Sequence, residues 1–165
     1  MSDIPKILII GNSQAGKSTL AKMIGDHFSC SFMGTSRAIY DKLIADCVSV
    51  CTNIVYHKCM YRLKLSPKYG DLFRKFLFDA GNRMREDDPA ALVKICLSYT
   101  NIVEGVRTKE EFQACKQLFD SVIWVDRPST EPNETDELRE EDADTVFDNT
   151  GTLEDLQQLV KDRFA

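Results

Sequence analysis

The chain has no apolar run long enough to cross a membrane. Its start, Met1-Ser2-Asp3-Ile4-Pro5, lacks the basic opening of a signal peptide. The expected location is therefore a cytoplasm, a host's if the chain is viral, with no membrane partner. Positive charge is also in the minority: 21 Lys and Arg face 26 Asp and Glu, for a net charge of −5. That excludes bulk binding to nucleic acid, which needs a basic surface. It leaves room for one small anion held by local cations. Internal repeats, low-complexity tracts and linkers are missing too. The 165 residues are expected to form one domain, 1–165, around a single core.

No CxxC pair occurs among the six cysteines. Cys47, Cys51, His57 and Cys59 lie close together, but Cys47 and Cys51 stand at helical i,i+4 spacing in an apolar run. Core packing as reduced thiols is the expected role, ahead of a zinc site.

What the chain does have is Gly11-Asn12-Ser13-Gln14-Ala15-Gly16-Lys17-Ser18. It follows the apolar run Ile7-Leu8-Ile9-Ile10 and opens into the amphipathic Thr19-Leu20-Ala21-Lys22-Met23-Ile24. Strand, glycine loop and helix at this spacing form a phosphate-binding P-loop. Glycines let the backbone approach an anion closely. Successive N–H groups and the helix N-terminus face the phosphates. Lys17 adds a point charge toward the β- and γ-phosphates, and Ser18 offers a hydroxyl to Mg²⁺. Gly11, Asn12, Ser13, Gln14, Ala15, Gly16, Lys17, Ser18 and Thr19 are thus the expected triphosphate-binding residues.

The remaining pattern alternates strand and helix. Strands are expected near Lys6–Ile10, Ser31–Met33, Asn101–Val103, Ser121–Asp126 and Thr145–Asp148. Gly34-Thr35-Ser36 reads as a loop that caps a helix over 37–51. A second helix is expected over 53–65. A third follows Ser66-Pro67, with Leu72, Phe73, Phe76, Leu77 and Ala80 on its buried face and Arg74 beside it. A short one follows Asp88-Pro89. Thr108–Glu111 and Thr152–Asp155 read as capping boxes, the second opening a terminal helix with Leu153, Leu156, Leu159 and Val160 inward. Residues 129–144, rich in acids, read as a mobile, solvated connection or a short helix. The fold class is α/β: a three-layer P-loop NTPase fold, roughly five parallel strands with helices on both faces. A helical, acceptor-binding insertion spans about 37–98, and a lid-like acidic connection about 127–144. Right-handed crossovers gather the loops after the strands on one rim.

Three features bear on the second substrate. No Asn-Lys-x-Asp tetrapeptide follows a strand, which argues against a GTPase switch. Arg37, Arg74, Arg83, Arg85, Arg107 and Arg127 stand at loop or helix edges, where guanidinium forks bind phosphate. Most read as solvated surface; Arg107, four positions after a buried strand, reads as functional. The expected strand Ser31–Met33 ends without a carboxylate, whereas a hydroxyl acceptor wants a base. A phosphate acceptor, with a second pKa of about 6, is already largely ionised at neutral pH. Its barrier is bringing two polyanions together, which cations lower. Glu104, at the end of a strand, holds either Mg²⁺ or a water on it.

The chain resembles the phage-type deoxynucleoside monophosphate kinases, of the P-loop kinase group that includes adenylate kinase and dephospho-coenzyme A kinase. The P-loop and residues from about Leu72 onward carry the resemblance. Its pieces are Phe73-Arg74-Lys75, Asp87-Asp88-Pro89, Val103-Glu104-Gly105-Val106-Arg107 with Glu110-Glu111, Val122–Arg127, and Asp148-Asn149-Thr150-Gly151-Thr152-Leu153. The resemblance implies transfer of the ATP γ-phosphoryl group to a deoxynucleoside monophosphate (dNMP), with Mg²⁺ held by Ser18 and Glu104. It implies that Arg74 and Arg107 grip the acceptor or the transferring phosphate, alongside catalytic Lys17. Asn149 and Gly151 match the turn near the ATP base. Ser36 and Arg37 match the acceptor-binding loop. The connection after Arg127 is acidic rather than Arg-rich, leaving Arg127 as the lid-side cation. The partners are then small nucleotides, and a homodimer stays open. A hydroxyl-acceptor kinase and a non-catalytic nucleotide-binding module are the competing readings.

Overall fold

The structure, a computed structural model, describes residues 4–47, 62, 65–128 and 136–165. Five strands form one sheet: β1 (Ile7–Ile10), β2 (Phe32–Gly34), β3 (Ile102–Glu104), β4 (Ser121–Asp126) and β5 (Thr145–Asp148). Their order is β2-β3-β1-β4-β5, and every pairing is parallel. The helices are α1 (Lys17–Phe28), α2 (Thr35–Cys47), α3 (Gly70–Arg85), α4 (Ala91–Leu97), α5 (Lys109–Cys115) and α6 (Leu153–Arg163). Short 3₁₀ turns cover Lys116–Leu118 and Glu140–Asp142.

The two-residue period of a strand builds the three layers. Leu8 and Ile10 enter a core with Val103, Val122 and Trp124, beneath residues of α2 through α5. Ile7 and Ile9 enter the opposite core with Ile102, Ile123, Val125 and Phe147, beneath α1 and α6. A strand buried on both faces reads as a continuous apolar run rather than an alternating one. All four residues of β1 are fully buried, each contributing about 1.5–3 kcal/mol of transfer free energy. The glycine loop joins β1 to α1 at the carboxyl end of this central strand. Motif and strand order together define an α/β fold of the P-loop class.

Several local expectations change. β2 runs straight into α2, so Thr35 and Ser36 are helical rather than a loop. Thr35 is pinned there by its hydroxyl, which donates to the Gly105 carbonyl at 3.1 Å. Ser66 caps the turn before α3: its Oγ accepts the N–H groups of Lys68 and Tyr69, each at 3.3 Å. On α3 the inward face is Leu77, Ala80 and Gly81, with Phe73 packed at its edge; Leu72 and Phe76 point outward. On α6 only Leu156 and Val160 of the expected four are buried, and Leu153 and Leu159 are exposed. Both helices bury a narrower line of residues than the apolar spacing suggested. The helix expected over 53–65, the end of the one over 37–51, and the group of Cys51, His57 and Cys59 lie outside the described residues. Cys96 and Cys115 are buried free thiols, and burial pushes both up to about 12. They act as the small apolar residues expected.

Candidate active site

The P-loop owes its shape to two glycines in the left-handed region. Gly11 has φ +145°, and a Cβ there would stand 2.8 Å from the Val125 carbonyl of β4. Gly16, at φ +98°, is the N-cap of α1, and no side chain caps the first turn. N–H groups at a helix start without a side-chain cap suit an anion. Gln14, also left-handed at φ 65°, completes the loop.

Asn149 braces the loop from below. Its Nδ2 donates to the Ala15 carbonyl at 2.7 Å, and its own backbone N–H donates to the Asp126 carbonyl at the end of β4 at 2.8 Å. In a trans peptide the C=O and N–H point in opposite directions. Holding the Ala15 carbonyl on Asn149 therefore directs the Gly16 N–H the other way.

Lys17 is buried, and its Nζ donates to the carbonyls of Gly11 at 2.8 Å and Asn12 at 2.6 Å. Burial lowers its pKa, and the nearby Arg107 charge lowers it further; Glu104 and Asp136 oppose both effects. Lys17 on the Asn12 carbonyl and Arg107 on the Ser13 hydroxyl meet adjacent residues of the loop, which places both cations at one crevice. Arg107 Nη1 donates to Ser13 Oγ at 3.0 Å and to Asp136 Oδ1 at 3.2 Å. Ser18 Oγ donates to Glu104 Oε1 at 3.0 Å. Glu104 reaches it because β3 lies beside β1, with Glu104 opposite Ile9.

Arg107 is held along its whole length. Its backbone lies where it favours the charged form of the buried Glu111 carboxylate. Glu111 in turn pairs with Arg85 at 3.4 Å. Thr108 Oγ1 accepts the Glu111 N–H at 3.3 Å, so half of the expected capping box is present, while the Glu111 carboxylate pairs with Arg85. Burial raises the Glu111 pKa, and Arg85 and the Arg107 backbone counter it.

In the described part of the acidic connection, Asp136 and Leu138 are buried while Glu137, Arg139, Glu140, Glu141 and Asp144 stay exposed, and Glu140–Asp142 forms a 3₁₀ turn. The Asp136 side chain is 4% exposed, and its Oδ2 accepts the Ser13 N–H at 2.9 Å. The Glu137 N–H donates to the Arg107 carbonyl at 3.0 Å, and its Oε2 accepts the Lys109 N–H at 2.9 Å. Leu138 is buried in the first core. Arg139 Nη1 closes the turn on the carbonyls of Asp136 and Leu138 at 2.8 and 2.9 Å.

The structure thus gathers the P-loop, Glu104, Arg107 and Asn149 at one rim, with Arg127 following β4 at the same end. Ser36 lies in the first turn of α2, beside the end of β3. Thr19 and Gly151 are exposed near their loops. Arg37 and Arg74 are engaged within their own helices, Arg37 with Asp41 at 3.9 Å and Arg74 with Asp71 at 2.6 Å. Asp136 and Glu111 went unread as site residues in the sequence. The one signal for Asp136 was Leu138, a lone large apolar residue in an acidic stretch. Arg85, read as surface, is mostly buried against Glu111.

No protein-family model matches the chain, and no curated protein does. Among solved structures, the chain is similar to shikimate kinase from Aquifex aeolicus, at 14% identity and a TM-score of 0.49, over 96% of this chain and 95% of that one. The chemistry has to come from the site's own residues.

Proposed function

We propose that the chain is an ATP-dependent phosphotransferase of the P-loop kinase kind. The finer reading is a (deoxy)nucleoside monophosphate kinase, which moves the ATP γ-phosphoryl group to a dNMP and yields dNDP and ADP. One observation carries it: Arg107 reaches across to Ser13 at 3.0 Å, in the crevice that also holds Lys17. Two cations held on neighbouring residues of one loop, Lys17 on Asn12 and Arg107 on Ser13, suit a reaction that brings two phosphate groups together.

The acceptor phosphate arrives largely ionised, so this reading needs no base. The P-loop N–H groups orient the triphosphate, Lys17 exchanges its two backbone carbonyls for phosphate oxygens, and Arg107 spans donor and acceptor. Arg127 is the lid-side cation. Arg74, with Ser36 and Arg37 on α2, belongs to the acceptor side. Asn149 and Gly151 belong to the nucleotide side. Ser18 and Glu104 fit Mg²⁺: they are two hard oxygen donors at the mouth of the loop, and Mg²⁺ takes few protein ligands beside waters and phosphate oxygens. When bound, the ion would neutralise charge on the triphosphate oxygens.

The test is a panel of dNMPs and NMPs at fixed ATP and Mg²⁺, read as ADP release. Turnover with at least one monophosphate is expected. Turnover of dephospho-coenzyme A or another hydroxyl acceptor above every monophosphate would overturn the acceptor assignment. Nucleotide binding with no transfer to any acceptor would favour a non-catalytic module.

A further inference from the structure

Asp136 places a carboxylate inside a crevice whose cations and N–H groups suit anions. Its two oxygens take the Ser13 N–H at 2.9 Å and the Arg107 guanidinium at 3.2 Å, and its side chain is 4% exposed. Its charge also acts on Lys17. Lys17 itself is folded onto the carbonyls of Gly11 and Asn12. The loop's own groups therefore satisfy each other: a carboxylate on the donors, carbonyls on the ammonium. Buried charges persist when paired and hydrogen-bonded in this way.

We infer that Asp136 is a surrogate anion of the nucleotide crevice, an affinity-setting residue that holds Arg107 and the Ser13 N–H until a triphosphate displaces it. The inference rests on the reading of the P-loop as a triphosphate site. A carboxylate that remained there would stand as a like charge beside the incoming phosphates, which costs most where water is excluded. Release of Asp136 hands Arg107 over to the substrate. The docked turn around Leu138 keeps the carboxylate close enough to return when the product leaves. Nucleotide affinity is then lowered by the fraction of molecules in which the carboxylate is in place.

The experiment compares ATP binding, with Mg²⁺, to the full chain and to Asp136→Asn by calorimetry. Asn keeps an acceptor for the Ser13 N–H and removes the charge. ATP is expected to bind the variant roughly tenfold more tightly. Equal or weaker binding by the variant, with normal binding by the parent, overturns this inference alone. If neither protein binds ATP, the triphosphate reading fails and takes this inference with it. A second measurement needs no substitution: the ¹³C carboxyl resonance of Asp136 in the parent chain is expected to move when ATP is added. A resonance that stays in place under saturating ATP means the carboxylate was never displaced, and overturns the inference.

Discussion

Replacing Asn149 by Ala isolates one peptide group of the loop. The lost contact is a 2.7 Å hydrogen bond to the Ala15 carbonyl, and Ala15 is fully buried. An unpaired buried acceptor costs about 1–3 kcal/mol. For a chain of this size that lowers the melting temperature by about 2–12 °C. The second effect is specific to the loop. Without its brace, the Ala15–Gly16 peptide is free to rotate, because Gly16 has no Cβ to restrict it. The Gly16 N–H then no longer aims at an anion. Losing one hydrogen bond to a charged group is worth about 1.5–3 kcal/mol, or about ten- to a hundredfold in affinity. Thermal melting and calorimetric titration with both ATP and inorganic tripolyphosphate read the two effects separately. Equal losses of affinity for the two ligands are expected, since tripolyphosphate carries no base. A loss for ATP alone would return Asn149 to the base-side role that the resemblance implied. A lower melting temperature with both affinities unchanged would refute the brace as a functional device.

Three further substitutions test other parts of the site. Arg107→Ala is expected to lower kcat by about 10²–10³-fold with a smaller change in KM, because its charge matters most as the phosphoryl group moves; an unchanged kcat with a raised KM would assign it to ground-state binding. Glu111 has a folded-state pKa raised above its ordinary 4.5 by burial. Between those two values the native state holds more protons than the unfolded one, so this group's contribution is full below 4.5 and is lost as pH rises through the folded value. Urea unfolding across that window should lose stability with rising pH in the parent and show a flatter profile in Glu111→Gln; parallel profiles would contradict the assignment. Leu138→Ala removes a buried anchor of the docked acidic turn and should cost about 2–5 kcal/mol by the same unfolding assay. A cost below 0.5 kcal/mol, the level of an ordinary surface substitution, would mean the turn is not docked in solution.

The strands were legible because their signal is local and strong. The four-residue apolar run of β1 and the six-residue β4 have little choice but a doubly covered sheet, and the rim follows from parallel order. The helix faces were less legible. Leu72 and Phe76 fit the α3 stripe by spacing alone, yet α3 buries only a narrow line against its neighbours, and spacing does not say how wide that line is. The P-loop was legible because its whole signal lies in one contiguous segment. Arg107 was legible because its distance from a buried strand places it at the rim.

The two carboxylates that the sequence reading missed, Glu111 and Asp136, were hidden by their company. Glu111 sits at the third position of a cap motif, and that local role accounted for it completely. Asp136 stands among eight acids between 129 and 144, and a charge run is correctly read as solvated on average. An average says nothing about the one member whose partners are 123 and 29 residues away. Burying Asp136 requires Ser13 and Arg107 to be already in place, and they are in place only once β1, β3 and the turn around Leu138 have assembled. The carboxylate therefore marks a property that belongs to the folded crevice and to no segment of it: the site is charge-balanced before any ligand arrives. On the inference drawn for Asp136, a polyanion would bind here by exchange rather than by addition. The Asp136→Asn affinity decides between the two.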